Sequence, residues 1–224
     1  QIDTLRACGV QDIVVVRGYR KDQVTVPGVR YFDNDRYEET GELASLFAAA
    51  PALSGRVLFL YSDILFERSV LERLLRAESG CAVVVDRAWV DQRDRLLPLA
   101  KPLDLVVTEH APAAGLRALG DGGDDTLVTV GARVSPERAN GEFIGMALFS
   151  ERGTQAMRGA WEAARAAGRG RFHEADGVEH AAFTDLLQEL VARGERVHCV
   201  DVYKGWLEVD TFEDYQRAWA EIKS

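Results

Sequence analysis

Arg56-Val-Leu-Phe-Leu-Tyr61, running directly into Ser62-Asp63, decides the reading of the fold. A short, unbroken apolar run bounded by polar residues has the length and composition of a strand covered on both faces. Upstream, Asp12-Ile-Val-Val-Val-Arg17 repeats the pattern with β-branched residues, and residues 29–33 suggest a further strand before the polar loop 34–40. Residues 41–50 read as a helix closed by Pro51. Downstream, residues 69–77 form an amphipathic helix with Val70, Leu71, Leu74 and Leu75 on one face.

The remaining chain keeps alternating. Strands are expected at 82–85, 141–150, 196–202 and 206–209, and helices at 153–167, 180–193 and 211–223. Residues 104–108 and 126–130 suggest a side hairpin around the glycine-rich loop 120–125. That loop carries three acids and follows no clear strand, so it reads as solvated rather than phosphate-binding. The alternation predicts an α/β fold, a three-layer α/β/α sandwich around a mostly parallel mixed sheet of the Rossmann-like kind. No repeat or linker divides it, and residues 1–224 read as one domain.

Composition narrows the partners. The 36 acidic against 27 basic residues give a formal charge of −9, which repels nucleic acid and anionic membrane alike. A small anionic substrate then requires a metal or local basic groups. Cys8, Cys81 and Cys199 are odd in number and far apart, as small buried residues in a reducing compartment would be. With no apolar run approaching membrane-spanning length and no signal peptide, a cytoplasmic location is expected. Residues 1–8 resemble the end of a helix closed by Gly9, which suggests an N-terminal truncation.

In an open α/β sheet, ligands bind beyond the carboxyl ends of the strands. That rule selects Asp63 and Asp210, each directly after an apolar strand. Two carboxylates at neighbouring strand ends suit one Mg²⁺, a hard cation that completes its shell with water and phosphate oxygens. The competing reading is that each aspartate caps a helix, and Asp210-Thr211 invites it. The four histidines include His173 and His180 among Glu174, Asp176 and Glu179, but their spacing matches no standard zinc pattern.

Five stretches carry a resemblance: Gly9 to Tyr19, Asn34 through Thr40-Gly-Glu-Leu-Ala-Ser-Leu46, Tyr61-Ser-Asp-Ile-Leu-Phe66, Gly141-Glu-Phe-Ile-Gly145 and Gly205-Trp-Leu-Glu-Val-Asp-Thr211. In this order they resemble the NTP-transferase family that includes phosphocholine and phosphonate cytidylyltransferases. The pattern is most similar to the branch found beside, or fused to, phosphoenolpyruvate mutase.

The resemblance implies that Asp63 and Asp210 are catalytic metal ligands and that Thr40, Gly41, Ser45 and Ser62 lie against the nucleotide. Asn34 would brace that loop, with an ordinary Asx turn as the alternative. Glu142, Gly145, Asp185, Trp206, Lys204 and Arg87 would face the acceptor. Each has a structural alternative: a bulge at Gly145, a helix-terminal charge at Asp185, a core position for Trp206. The family's opening strand and Gly-x-Gly-x-Arg loop are absent from this sequence. The implied activity is CTP-dependent transfer of CMP, with Mg²⁺, to 2-hydroxyethylphosphonate, 2-aminoethylphosphonate or phosphocholine. A sugar-1-phosphate nucleotidyltransferase and an inactive nucleotide-binding or regulatory module are the alternatives. A homodimer stays open.

Overall fold

The computed structural model describes residues 1–90, 102–110, 125–168 and 170–222. Its centre is a six-stranded sheet built from β3 (Val57–Leu60), β5 (Cys81–Asp86), β6 (Leu105–Thr108), β7 (Asp125–Gly131), β8 (Gly141–Phe149) and β9 (Val197–Val202). The spatial order is β3-β8-β5-β9-β7-β6. Strands β3, β5, β9 and β6 point one way, and β8 and β7 the other. The sheet is therefore mixed. Because β8 and β7 are interposed, β5–β9 is its parallel ladder and the other neighbours pair antiparallel.

Side chains alternate across these strands and meet a helical layer on each face. On one face, Cys81, Val83 and Val85 pack with Ala147, Phe149 and Val197. Covering them are α2 (Glu42–Ala48), α4 (Glu151–Ala167) and α5 (Phe183–Ala192), which contribute Leu43, Phe47, Met157, Trp161, Phe183 and Leu187. On the other face, Ala82, Val84, Met146, Leu148 and Val200 meet Leu5 of α1 (Ile2–Ala7) and Val70, Leu71 and Leu74 of α3 (Arg68–Leu75). Burial on both faces is why the central strands are apolar at consecutive positions rather than at every second one.

Two ribbons flank this sheet. β1 (Val14–Arg17) pairs in parallel with β2 (Arg30–Asp33). β4 (Ile64–Phe66) pairs antiparallel with β10 (Trp206–Glu208), and α6 (Phe212–Ile222) follows. The expected side hairpin is present as β6–β7, joined to the sheet through β7–β9 and β6–β8. Residues 120–124 of the glycine-rich loop and Lys223 lie outside the described residues. No helix among the described residues is long and apolar enough to cross a membrane.

Candidate active site

The site starts where β3 ends. Tyr61 N–H donates to the carbonyl of Gly145 at 2.9 Å, and the chain turns through Ser62-Asp63 into β4. The Gln1 amide donates to the carbonyls of Tyr61 (2.8 Å) and Ile64 (2.5 Å), pinning both sides of that turn. Across the β4–β10 ribbon, Glu208 sits opposite Ile64, and Val209 N–H donates to the Asp63 carbonyl at 2.8 Å. The ladder thus delivers the carboxylates that flank Val209 to the one borne by Asp63.

One oxygen from each of Asp63, Glu208 and Asp210 lies within 4.8 Å of the others. Asp63 Oδ1 is shielded from solvent and accepts no hydrogen bond. A desolvated carboxylate oxygen without a donor is costly, and three like charges at this range repel. Both features fit a hard divalent cation, whose oxygen ligands sit at about 2.1–2.6 Å. Glu208 was not singled out from the sequence. The signal was available, because residues two apart on an extended chain share a face.

Beside the triad opens a cleft of about 580 Å³, counting the solvent at its mouth. Tyr61, Phe143 and Trp206 supply aromatic surface, and Glu42, Asp104 and Glu142 supply charge. The Tyr61 hydroxyl donates to Glu42 Oε2 at 2.9 Å, and Phe183 N–H donates to the same oxygen at 3.1 Å. Burial, then the charges of Glu42 and Asp104, push the Tyr61 hydroxyl well above its ordinary pKa. It stays protonated throughout the physiological range and acts as a donor, not a base.

Trp206 is both core and cleft wall. It is buried, and its indole N–H donates to Asp86 Oδ2 at 2.9 Å, while Asp86 Oδ1 accepts from the backbone N–H groups of Ala88 (2.8 Å) and Lys204 (3.1 Å). Asp86 is fully buried and went unremarked in the sequence, where it reads as the end of an apolar strand. Lys204 is placed by this bond at a left-handed φ of 66°, with an exposed side chain.

On the other flank, Asn34 Nδ2 donates to Thr40 Oγ1 (2.9 Å) and Ser45 Oγ (3.0 Å), while its Oδ1 accepts from Arg36 N–H at 3.1 Å. The brace and the Asx turn therefore occur together. Gly41 N–H donates to the Glu179 carbonyl at 2.7 Å, and a Cβ at this position would lie 2.5 Å from the Ala181 carbonyl oxygen. The glycine face at 41 is filled by backbone of the 179–181 segment. Ser62 is exposed on the turn before Asp63.

Two expected acceptor contacts are occupied by other work. Arg87 is buried under Asp201 (2.8 Å), Asp125 (3.0 Å) and both oxygens of Asn140 (3.0 and 3.1 Å), so its guanidinium is consumed inside the fold. Asp185 accepts from Glu174 N–H (2.7 Å) and Ala182 N–H (2.9 Å), closing the first turn of α5. His173 pairs with Glu189 at 2.8 Å, and among the described residues the acids around His180 form no metal-sized cluster with it.

Gly145 interrupts β8 at φ 78°, where the pairing with β5 slips between Val83 and Val85. A Cβ there would fall 2.2 Å from the Tyr61 ring. The bulge and the ring account for this glycine. Gly145→Ala is expected to destabilise the fold by about 2–4 kcal/mol, from left-handed backbone strain plus overpacking. Chemical denaturation checks it, and a change below about 0.5 kcal/mol, the range of an ordinary surface substitution, contradicts it.

Comparison with known proteins follows this geometry. The chain is 21% identical over 228 residues to the CTP:phosphoglutamine cytidylyltransferase of Campylobacter jejuni subsp. jejuni, spanning 96% of this chain and 84% of that protein. Its fold is similar to the inositol-1-phosphate CTP transferase of T. maritima, with TM-score 0.65, 18% identity, and coverage of 100% of this chain and 81% of that one. It is also similar to the CTP:phosphocholine cytidylyltransferase of Streptococcus pneumoniae, with TM-score 0.62, 15% identity, and coverage of 100% and 83%. The family model of the MobA-like NTP transferase domain matches residues 1–139, more than half of the sequence. The chain belongs to the MobA-like NTP transferase domain family.

Proposed function

We propose that this protein transfers CMP from CTP to a small phosphate or phosphonate monoester and releases pyrophosphate. The observation that carries the reading is the triad of Asp63, Glu208 and Asp210 beside the cleft, with Asp63 Oδ1 buried and without a donor. These three carboxylates would hold Mg²⁺, which when bound offsets charge on phosphate oxygens and orients them for in-line displacement.

The remaining work falls to the chain. The loop braced by Asn34 offers Thr40 and Ser45 to the nucleotide, and the cleft beyond the triad takes the acceptor. A phosphate or phosphonate oxygen is already ionised near neutrality, so no general base is required. Tyr61 is held protonated and serves as a donor that fixes Glu42. The apolar walls from Phe143 and Trp206 exclude water from the acceptor oxygen, which favours transfer over hydrolysis.

The test is pyrophosphate release by the full-length protein with each NTP against a panel of 2-hydroxyethylphosphonate, 2-aminoethylphosphonate, phosphocholine and glucose 1-phosphate. Turnover with CTP and one of the two phosphonates or phosphocholine is expected. Turnover confined to glucose 1-phosphate would replace the acceptor class with a sugar phosphate. Pyrophosphate from no combination would leave a nucleotide-binding module.

A further inference from the structure

We propose that Asp86 is a positioning residue for the metal-binding carboxylates, fixing β10 so that Glu208 and Asp210 meet Asp63. The inference rests on the triad holding a divalent ion, and it assigns the group that keeps the triad assembled.

Asp86 ends β5 and, since alternate residues of a strand share a face, continues the buried stripe of Ala82 and Val84. A core does not need a carboxylate there, because an apolar side chain of similar volume is buried at lower cost. What the carboxylate supplies is direction. Its Oδ2 accepts from the Trp206 indole N–H at 2.9 Å and its Oδ1 from Lys204 N–H at 3.1 Å. Side chain and backbone at the start of β10 thus hang from one group. A bond from Ala88 N–H at 2.8 Å ties that group to the end of its own strand.

β10 needs such an anchor. It has three residues, and its sheet is a two-stranded ribbon with β4, a unit of marginal stability by itself. The chain enters it through Lys204 at φ 66° and Gly205 at φ 82°. A left-handed lysine persists only where its surroundings hold it, and Asp86 grips that lysine's N–H. From there the chain brings Trp206, Glu208 and Asp210, at alternate positions, to the same cleft. Trp206 and Glu208 are separated by about 6–7 Å of extended backbone, so a shift at the indole is passed to the triad. Mg²⁺ demands near-ideal octahedral geometry, and a site of this kind tolerates displacements of about 0.5 Å.

The experiment compares wild type with Asp86→Asn in the full-length protein. The substitution keeps the side chain's volume but turns one acceptor oxygen into an NH₂ donor, which must face either the indole N–H or the two backbone N–H groups. Binding of Mn²⁺ alone, read from loss of the free-ion EPR signal, is expected to weaken about tenfold, the scale for groups that orient metal ligands. The deficit in pyrophosphate release is expected to shrink as Mg²⁺ is raised, because the lost property is ion affinity. A merely structural carboxylate predicts a lower melting temperature with Mn²⁺ affinity within about threefold of wild type. That result overturns the role of Asp86 while the triad stands. Where Asp86→Asn fails to fold, Trp206→Phe removes only the indole donor, and Mn²⁺ binding about threefold weaker is expected, the scale of one hydrogen bond. Unchanged binding in that variant overturns the proposal. Wild type that binds no Mn²⁺ overturns the triad, and the role of Asp86 with it.

Discussion

Asp63→Asn is expected to lower pyrophosphate release by about 10³-fold, the scale of losing one preorganised electrostatic partner of a transferring phosphoryl group. In divalent-free buffer the same substitution leaves the melting temperature unchanged or raises it, because one of three mutually repelling carboxylates has gone. Titrating Mg²⁺ is then expected to raise the melting temperature of wild type and not of the variant, since an ion bound only by the folded state stabilises it by mass action. Opposite signs for activity and stability separate a ligand from a helix cap, whose loss costs about 1 kcal/mol whether or not metal is present. Activity within tenfold of wild type, or an unaltered Mg²⁺ response, sinks the triad. Calorimetric or fluorescence melts beside a coupled pyrophosphate assay provide both readouts.

Arg87→Met is expected to cost about 3–5 kcal/mol, the penalty for stripping a buried ion pair of one partner. At about 2–4 °C per kcal/mol for a chain of this size, the melting temperature falls by roughly 10 °C. The guanidinium is 1% exposed and ties three strands: β5, which leads into it, β7 through Asp125, and β9 through Asp201. Asp201 is already raised above its ordinary pKa by burial despite the opposing charge of Arg87. Asp125 is also pushed up by burial, but bonds from Thr108 and from the His110 and Thr126 N–H groups, with Arg87's charge, leave it lowered.

The sign of the pH dependence follows. In wild type the lowered pKa of Asp125 contributes stability above the unfolded value near 3.8, which is lost as pH falls through the folded one. Without Arg87, Asp201 is held further above its unfolded value and Asp125 is lowered less, so the cost added by the substitution is full at neutral pH and shrinks on acidification. The stability gap between Arg87→Met and wild type therefore narrows from pH 7 toward pH 4. A gap that widens, or a loss below 1 kcal/mol, refutes the account of Arg87 as a structural hub.

The layers were legible because they rest on local patterns. The runs at 13–16, 57–60 and 82–85 are apolar at consecutive positions and all lie in or beside strands, fully buried at 82–85 and partly buried at 14–16 and 57–60, and Val70, Leu71 and Leu74 repeat at helical spacing. Strand direction was less legible: nothing inside 141–149 says that it enters between β3 and β5 running backward. β4 was missed because three residues carry no period, and its identity comes from a partner about 140 positions away. Strand ends alone made Asp63 and Asp210 candidates, with a helix cap as the open alternative for each, and the ladder between β4 and β10 is what brings their carboxylates together. Arg87 and Asp185 could not be assigned, because whether a charge faces a ligand or a buried counter-charge depends on groups distant in sequence, Asp125 and Asp201 for one and Glu174 N–H for the other.

The β4–β10 ribbon also has a consequence during synthesis. A ribosome releases the segment bearing Asp63 long before the one bearing Glu208 and Asp210, and translation at about 5–20 residues per second separates them by many seconds. Throughout that interval the nascent polypeptide owns one of the three carboxylates. Prematurely terminated products that stop before residue 206 carry Asp63 without Glu208 and Asp210, so the three-carboxylate cluster cannot form in them.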